Sequence, residues 1–261
     1  MTVRSLFLTL ILGLAAATAD AGPPNPRPTE VDLQLVLAAD RSGSMSLSLA
    51  KGQRRGFADA FRDERLRNAI LSGPLGRVAV VYFEWSDATD QHVVVPWTIL
   101  GNSGDLGRFA DRLDQADIAV TPNATSLSAA LTFARQLVDA NGLTSHRIVV
   151  DVSGNGRNTQ GPSMEAARDD LRAIGAVVNG LVLPDTTYAQ GGPYGMMFSG
   201  YDGPLTDYFE ASVICGPGAF ALDVELPGGI AGAILRKLVL EVAWTGKEGI
   251  SHDQAQRTIR R

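Results

Sequence analysis

The chain has 261 residues, with 23 Lys plus Arg against 28 Asp plus Glu, for a formal net charge of −5. At 45% hydrophobic and 20% charged residues it is too apolar to stay disordered, and its 13 prolines follow no fibrous period. The acidic balance excludes the broad basic face that nucleic-acid binding requires.

Residues 1–21 read as a secretory signal peptide. Arg4 supplies the positive start, Leu6 to Ala17 the apolar run, and Ala17-Thr18-Ala19 and Ala19-Asp20-Ala21 two small-x-small cleavage sites. The apolar run falls short of the about 20 residues of a membrane span. The expectation is an exported chain, periplasmic or secreted, with no membrane span once the signal is cleaved. Cys215 is the one cysteine, so no internal disulfide staples the fold. A Pro-rich lead-in (22–29) precedes a single domain expected over 30–244, and a polar tail (245–261) ends basic.

Within that domain, Val31 to Ala39 is a buried-strand pattern ending at Asp40. Ser46 to Ser72 is helical, with Phe57, Ala60, Phe61 and Ile70 near helical spacing. Gly76 to Trp85 and Gln91 to Leu100 are strongly β, and the short link between them predicts an antiparallel hairpin. Asp105 to Ala116 and Ser126 to Ala140 are helices, Arg147 to Val152 a buried strand, Pro162 to Ile174 a helix and Ala176 to Leu183 a strand. Pro184 to Pro204 loses all periodicity. Tyr208 to Ile214 reads as a helical turn, Gly218 to Glu225 as a last strand and Gly229 to Trp244 as an amphipathic helix. Alternating strands and helices with continuous β-branched runs predict an α/β fold: one doubly wound, mostly parallel sheet with helices on both faces. Such sheets bind ligands at the carboxyl ends of their strands, where the strand order reverses.

The strand ends carry a pattern. After the first strand, Asp40-Arg41-Ser42-Gly43-Ser44 alternates a carboxylate with two hydroxyls. Thr125 stands immediately before a helix, and Ser153-Gly154-Asn155-Gly156 follows the fourth strand. If the first and fourth strands are neighbours, the three loops meet. Oxygen donors with one formal charge suit a hard cation, Mg²⁺ first, with Mn²⁺ or Ca²⁺ as alternatives.

The set Asp40, Ser42, Ser44, Thr125 and Asn155 resembles the metal-ion-dependent adhesion site of von Willebrand factor A domains. Val31-Asp32-Leu33, Val94-Val95-Pro96-Trp97, Asp151-Val152-Ser153-Gly154 and Gly216-Pro217-Gly218-Ala219-Phe220 further resemble an exported bacterial branch of those domains, one of unknown function. The resemblance implies a Rossmann-like sheet with one antiparallel edge strand. It also implies a divalent cation at the top of the sheet and a protein partner that supplies an acidic oxygen to it. It does not imply an enzyme, and none is expected. One position departs: the family usually has Asp where this chain has Asn155. Asn keeps an oxygen acceptor but brings no charge, so attenuated metal binding is expected. Alternation along the strand places Asp151 on the same side as Ser153 and Asn155, either as a carboxylate behind the site or too deep to reach it.

Other signals are weaker. The loop Gly154 to Asn158 lacks both Gly-x-Gly-x-x-Gly spacing and a Walker lysine. Ser153 lacks the Gly-x-Ser-x-Gly elbow. His92, His146 and His252 sit in polar segments. Trp85 and Trp97 read as packing, and Cys215 as a small buried hydrophobe. Asn123-Ala124-Thr125 matches a glycosylation sequon. In the irregular segment, Tyr188, Tyr194, Met196, Met197, Phe198 and Tyr201 suit a partner-binding surface. The sequence thus predicts a binding module. The alternatives are a metal-independent assembly subunit of an envelope complex with a vestigial site, and a metal-dependent hydrolase using Asp151 as base.

Overall fold

The computed structural model describes residues 28–118, 124–184, 203–224 and 229–243. The elements are β1 (Thr29–Val31), β2 (Leu33–Asp40), α1 (Leu47–Arg62), α2 (Glu64–Leu71), β3 (Val78–Trp85), β4 (Gln91–Leu100), α3 (Ser103–Gln115) and α4 (Leu127–Asp139). They continue with β5 (Leu143–Ser145), β6 (Ile148–Gly154), α5 (Met164–Ala173), β7 (Val177–Val182), α6 (Leu205–Tyr208) running into a π-helical turn (Phe209–Val213), β8 (Ala221–Asp223) and α7 (Gly229–Ala243).

Six strands form one sheet in the order β4-β3-β2-β6-β7-β8. All neighbours are parallel except β3 and β4, which form the expected antiparallel edge hairpin. Every residue of β2, β3 and β7 is buried, which is why these strands read as continuous apolar runs rather than alternating ones. Leu33, Leu35 and Leu37 of β2 join one core layer with Phe57 and Phe61 of α1, Phe109 of α3 and Leu238 of α7. Val36 and Ala38 join the opposite layer with Leu131 of α4, Leu171 of α5 and Phe209 of the π-helical turn. The chain leaves β2 toward β3 on one side and returns through β6 on the other. The order therefore reverses between β2 and β6, and their carboxyl ends lie side by side.

The structure differs from the sequence pattern in four places. The 46–72 helix is two helices, because Asp63 takes an extended backbone and its Oδ1 accepts the Arg65 amide at 2.8 Å to cap α2. The first strand is broken at Asp32, whose carboxylate accepts the amides of Leu75 and Arg77. The residues before that break pair in parallel with β5 as a separate two-stranded sheet. In the edge hairpin, the register shifts between Val80 and Tyr82, opposite the stretch that contains Pro96. Proline has no amide to give a ladder, so such a shift belongs there.

Candidate functional site

β2 delivers Asp40 fully buried at its carboxyl end. The Ser42 amide donates to Asp40 Oδ1 at 2.7 Å, folding the chain back so that Ser42 Oγ and Ser44 Oγ stand 3.2 Å apart. Ser46 then closes the loop by accepting the Leu49 amide as the N-cap of α1. From β6, the Asn155 amide donates to the other Asp40 oxygen, Oδ2, at 3.2 Å. The Asn155 side chain faces Ser44: its Nδ2 donates to Ser44 O at 3.0 Å, and Ser44 Oγ donates to its Oδ1 at 2.6 Å. Asp40, Ser42, Ser44 and Asn155 are therefore one hydrogen-bonded unit.

Thr125 reaches the same place from the start of α4. A methyl group built on Gly156 would stand 3.6 Å from Thr125 Oγ1 and 4.0 Å from Ser44 Oγ. Two backbone bonds fix that approach. The Thr159 amide donates to Thr125 O at 2.9 Å, and the Ser126 amide donates to Ser86 O, just past β3, at 2.8 Å. The structure thus brings all five predicted oxygen-bearing residues together.

Burial pushes the Asp40 carboxyl up to about 6, partly offset by the hydrogen bonds from Ser42 and Asn155. Among the described residues no cationic side chain pairs with it. Arg41 is committed to Asp90. A divalent ion would supply the missing counter-charge. In an octahedral Mg²⁺ shell, neighbouring oxygens lie about 2.9 Å apart, close to the Ser42–Ser44 separation. The shorter Ser44–Asn155 contact is a hydrogen bond, so Asn155 orients the Ser44 hydroxyl. Among the described residues no group of three or more His, Cys, Asp or Glu side chains could hold a metal. One carboxylate among hydroxyls and an amide suits a hard, largely hydrated cation and not a soft one.

Asp151 is not a carboxylate behind the site. It is buried one layer deeper, with its Oδ1 2.7 Å from Lys237 Nζ of α7. That contact is an ion pair off the hydrogen-bonding direction. Lys237 also pairs with Glu241, and Asn179 Nδ2 donates to Glu241 Oε1 at 2.9 Å. Sequence reasoning missed this cluster because Lys237 and Glu241, four apart on a helix, look like a solvated pair. It also missed Gln53, a polar residue within the apolar stripe that includes Ala50, Phe57 and Phe61.

The remaining candidates fall where packing puts them. Trp85 is fully buried, and Trp97 Nε1 donates to Leu137 O at 3.0 Å. Cys215 is buried and burial raises its thiol. His92 and His146 are exposed. Arg157 lies over the Tyr208 ring, 4.7 Å from its centroid. Tyr188, Tyr194, Met196, Met197, Phe198 and Tyr201 lie outside the described residues, as do Asn123, His252 and the expected signal peptide. Among the described residues no helix is long and apolar enough to cross a membrane.

A family model described as "Protein of unknown function (DUF1194)" matches residues 30–246. No curated protein matches. Among solved structures, proximal thread matrix protein 1 from the mussel byssus is similar at 12% identity and a TM-score of 0.52, over 83% of this chain and 49% of that one. A form of the same byssus protein "with zinc occupied MIDAS motif" matches at 14% identity and a TM-score of 0.45, over 60% of this chain and 39% of that one. The vWF domain of the type V pili tip protein Mfa5 from Porphyromonas gingivalis matches at 14% identity and a TM-score of 0.36, over 51% of this chain and 40% of that one. The chain spans about half the length of the first of these structures. The fold is von Willebrand factor A-like.

Proposed function

The chain belongs to the DUF1194 family, and from that premise we propose that it is an exported, non-catalytic binding module. It engages a protein partner through a divalent cation at the carboxyl end of its sheet. Asp40, Ser42, Ser44 and Thr125 would hold the ion with Asn155 orienting Ser44, and an acidic side chain of the partner completes the shell. When bound, the ion supplies positive charge at a site whose own carboxylate is buried without one. The convergence of four oxygen-bearing residues around that uncompensated Asp40 carries the reading. Mg²⁺ is the preferred ion, because the donors are hard oxygens of low total charge. The fold shared with the byssus matrix protein supports a binding role, and the expected signal peptide places that role outside the cytoplasm, periplasmic or secreted. A hydrolase would need a free base near the ion, and Asp151 is engaged by Lys237 instead.

Calorimetry tests the site. The native chain should bind Mn²⁺ and Mg²⁺, and Ser44→Ala should weaken Mn²⁺ at least about tenfold, with the metal-free protein losing about 1–3 kcal/mol of stability along with the bond to Asn155 Oδ1. Identical isotherms for both proteins would remove Ser44 from the site.

One observation favours a second reading. Asn155 already satisfies both Ser44 Oγ and Ser44 O, so the loops hold together without an ion. In that case the chain is a metal-independent assembly subunit.

A further inference from the structure

We propose that Gln53 of α1 is the positioning residue of the oxygen site, setting the distance between the loop that carries Asp40, Ser42 and Ser44 and the loop that carries Asn155. The assignment rests on the cation reading of that site.

The geometry begins where the sheet stops. The β2–β6 ladder runs from Gln34 opposite Ile148 to Ala38 opposite Val152, and no residue pair is in register beyond it. Asp40 and Asn155 lie two and three residues past that last pair. Past that pair each strand end is held only on its outer side, β2 by β3 and β6 by β7. The loops meet again at Asn155, which bonds to Asp40 and Ser44. Twist rotates parallel neighbours apart once ladder bonds end, so the spacing at the base of the loops rests on a tie beneath those contacts. Gln53 supplies it. Its Nε2 donates to Asp40 O at 2.9 Å, and its Oε1 accepts from Ser153 Oγ at 2.6 Å. Ser153 Oγ also lies 3.3 Å from Ala38 O, back across to β2. One amide therefore bridges the two strand ends directly beneath the ligand loops, with both ends of its donor–acceptor pair in use.

The side chain is 1% exposed, and its chemistry is specific. The bridge needs a donor toward a carbonyl and an acceptor toward a hydroxyl at the reach of a three-carbon stem. Glu would set an acceptor against the Asp40 carbonyl, and Met would offer neither group. The next residue, Arg54, does parallel work on the adjoining strand and loop. Its Nε and Nη2 each donate to Glu84 of β3 at 2.8 Å, and its Nη1 donates to Asp117 O at 3.0 Å, on the approach to Thr125. Two consecutive residues of α1 thus reach three strand ends and the segment after α3.

The experiment is Mn²⁺ titration followed by electron paramagnetic resonance, on the native chain, Gln53→Met and Ser153→Ala. Near-ultraviolet circular dichroism checks that each variant keeps native packing. Gln53→Met should bind Mn²⁺ roughly tenfold more weakly, with broadened lines from a distorted shell. Ser153→Ala keeps the Asp40 tie and should lose roughly two- to fivefold. A role confined to stability would lower the melting temperature and leave the Mn²⁺ spectrum unchanged. Native affinity and a native spectrum in Gln53→Met overturn the proposal. If that variant does not fold, native affinity in Ser153→Ala overturns it instead. Absence of Mn²⁺ binding by the native chain overturns the cation site itself, and this assignment with it.

Discussion

Asn155→Asp should tighten Mg²⁺ and Mn²⁺ binding by about ten- to a hundredfold, a gain of about 1–3 kcal/mol. The native site sets one carboxylate, Asp40, against a doubly charged ion. The amide beside it gives an oxygen but no charge. A unit charge about 4 Å from another is worth about 4 kcal/mol at the effective dielectric of a protein surface, and dehydration of the new carboxylate takes back part of that. The same change should act oppositely on the metal-free protein. It would lose the Nδ2 donation to Ser44 O and set a second carboxylate next to the Asp40 group that burial already disfavours. The variant should therefore melt lower than the native chain in chelator and gain more than it on adding Mn²⁺, since a ligand of the folded state stabilises according to its affinity.

This variant also separates the two functional readings. Native binding in the micromolar to millimolar range, tightened by Asn155→Asp, describes a working site of reduced charge. No native binding, with binding appearing in Asn155→Asp, describes a site that a single uncharged residue has switched off, as the assembly reading requires. Absence of binding in both proteins means that five converging oxygens do not make a cation site here.

The central sheet and the site were legible in the sequence for the same reason. A strand buried on both faces has no alternation, so its apolar run announces it, and the polar residues at its end must then belong to a loop. That is how Asp40, Ser42, Ser44 and Asn155 stood out. Thr125 was legible because it precedes the Ser126 cap. The β1–β5 pair was not, because three-residue strands carry too few side chains for a period. Nor was the division at Asp63, where the apolar spacing continues across the break and only the cap geometry reveals it. The buried polar residues were hidden by their own chemistry. Gln53 on a helix, or Lys237 with Glu241 one turn on, has the composition of a wet surface. Only the tertiary placement of α1 and α7 against β6 and β7 shows that these groups point inward. The two alternatives for Asp151 stayed open on the same account: alternation assigned its side of the strand, but the depth at which it meets α7 depends on a helix more than eighty residues away.

Lys237→Met should cost about 3–5 kcal/mol at neutral pH, or roughly 10 °C in melting temperature for a domain of this size. The ammonium is 0% exposed and stands between two carboxylates that are themselves buried, Asp151 of β6 and Glu241 of α7. Methionine matches the stem in length but leaves both carboxylates without a counter-ion. Glu241 Oε2 has no hydrogen-bond partner even in the native arrangement. The pH dependence distinguishes this mechanism from simple loss of packing. Burial, with the nearby Asp151 charge, raises the Glu241 carboxyl from 4.5 to about 7. Between those values the folded chain keeps a proton that the unfolded chain has released, so the folded state binds more protons and stability falls as pH rises through the window. Below it both states are protonated and the group contributes nothing; above it the penalty is constant. Removing the ammonium takes away the charge that favours ionised Glu241 and leaves it only the Asn179 hydrogen bond. The deficit of Lys237→Met relative to the native chain should therefore shrink toward pH 5, where protons can replace the lost cation, and widen toward pH 8. Melting curves of the two proteins at pH 5, 6, 7 and 8, all in chelator so that the oxygen site adds nothing, would show the divergence. A deficit that stays constant across that range would mean that the lost ammonium is not coupled to the ionisation of Glu241.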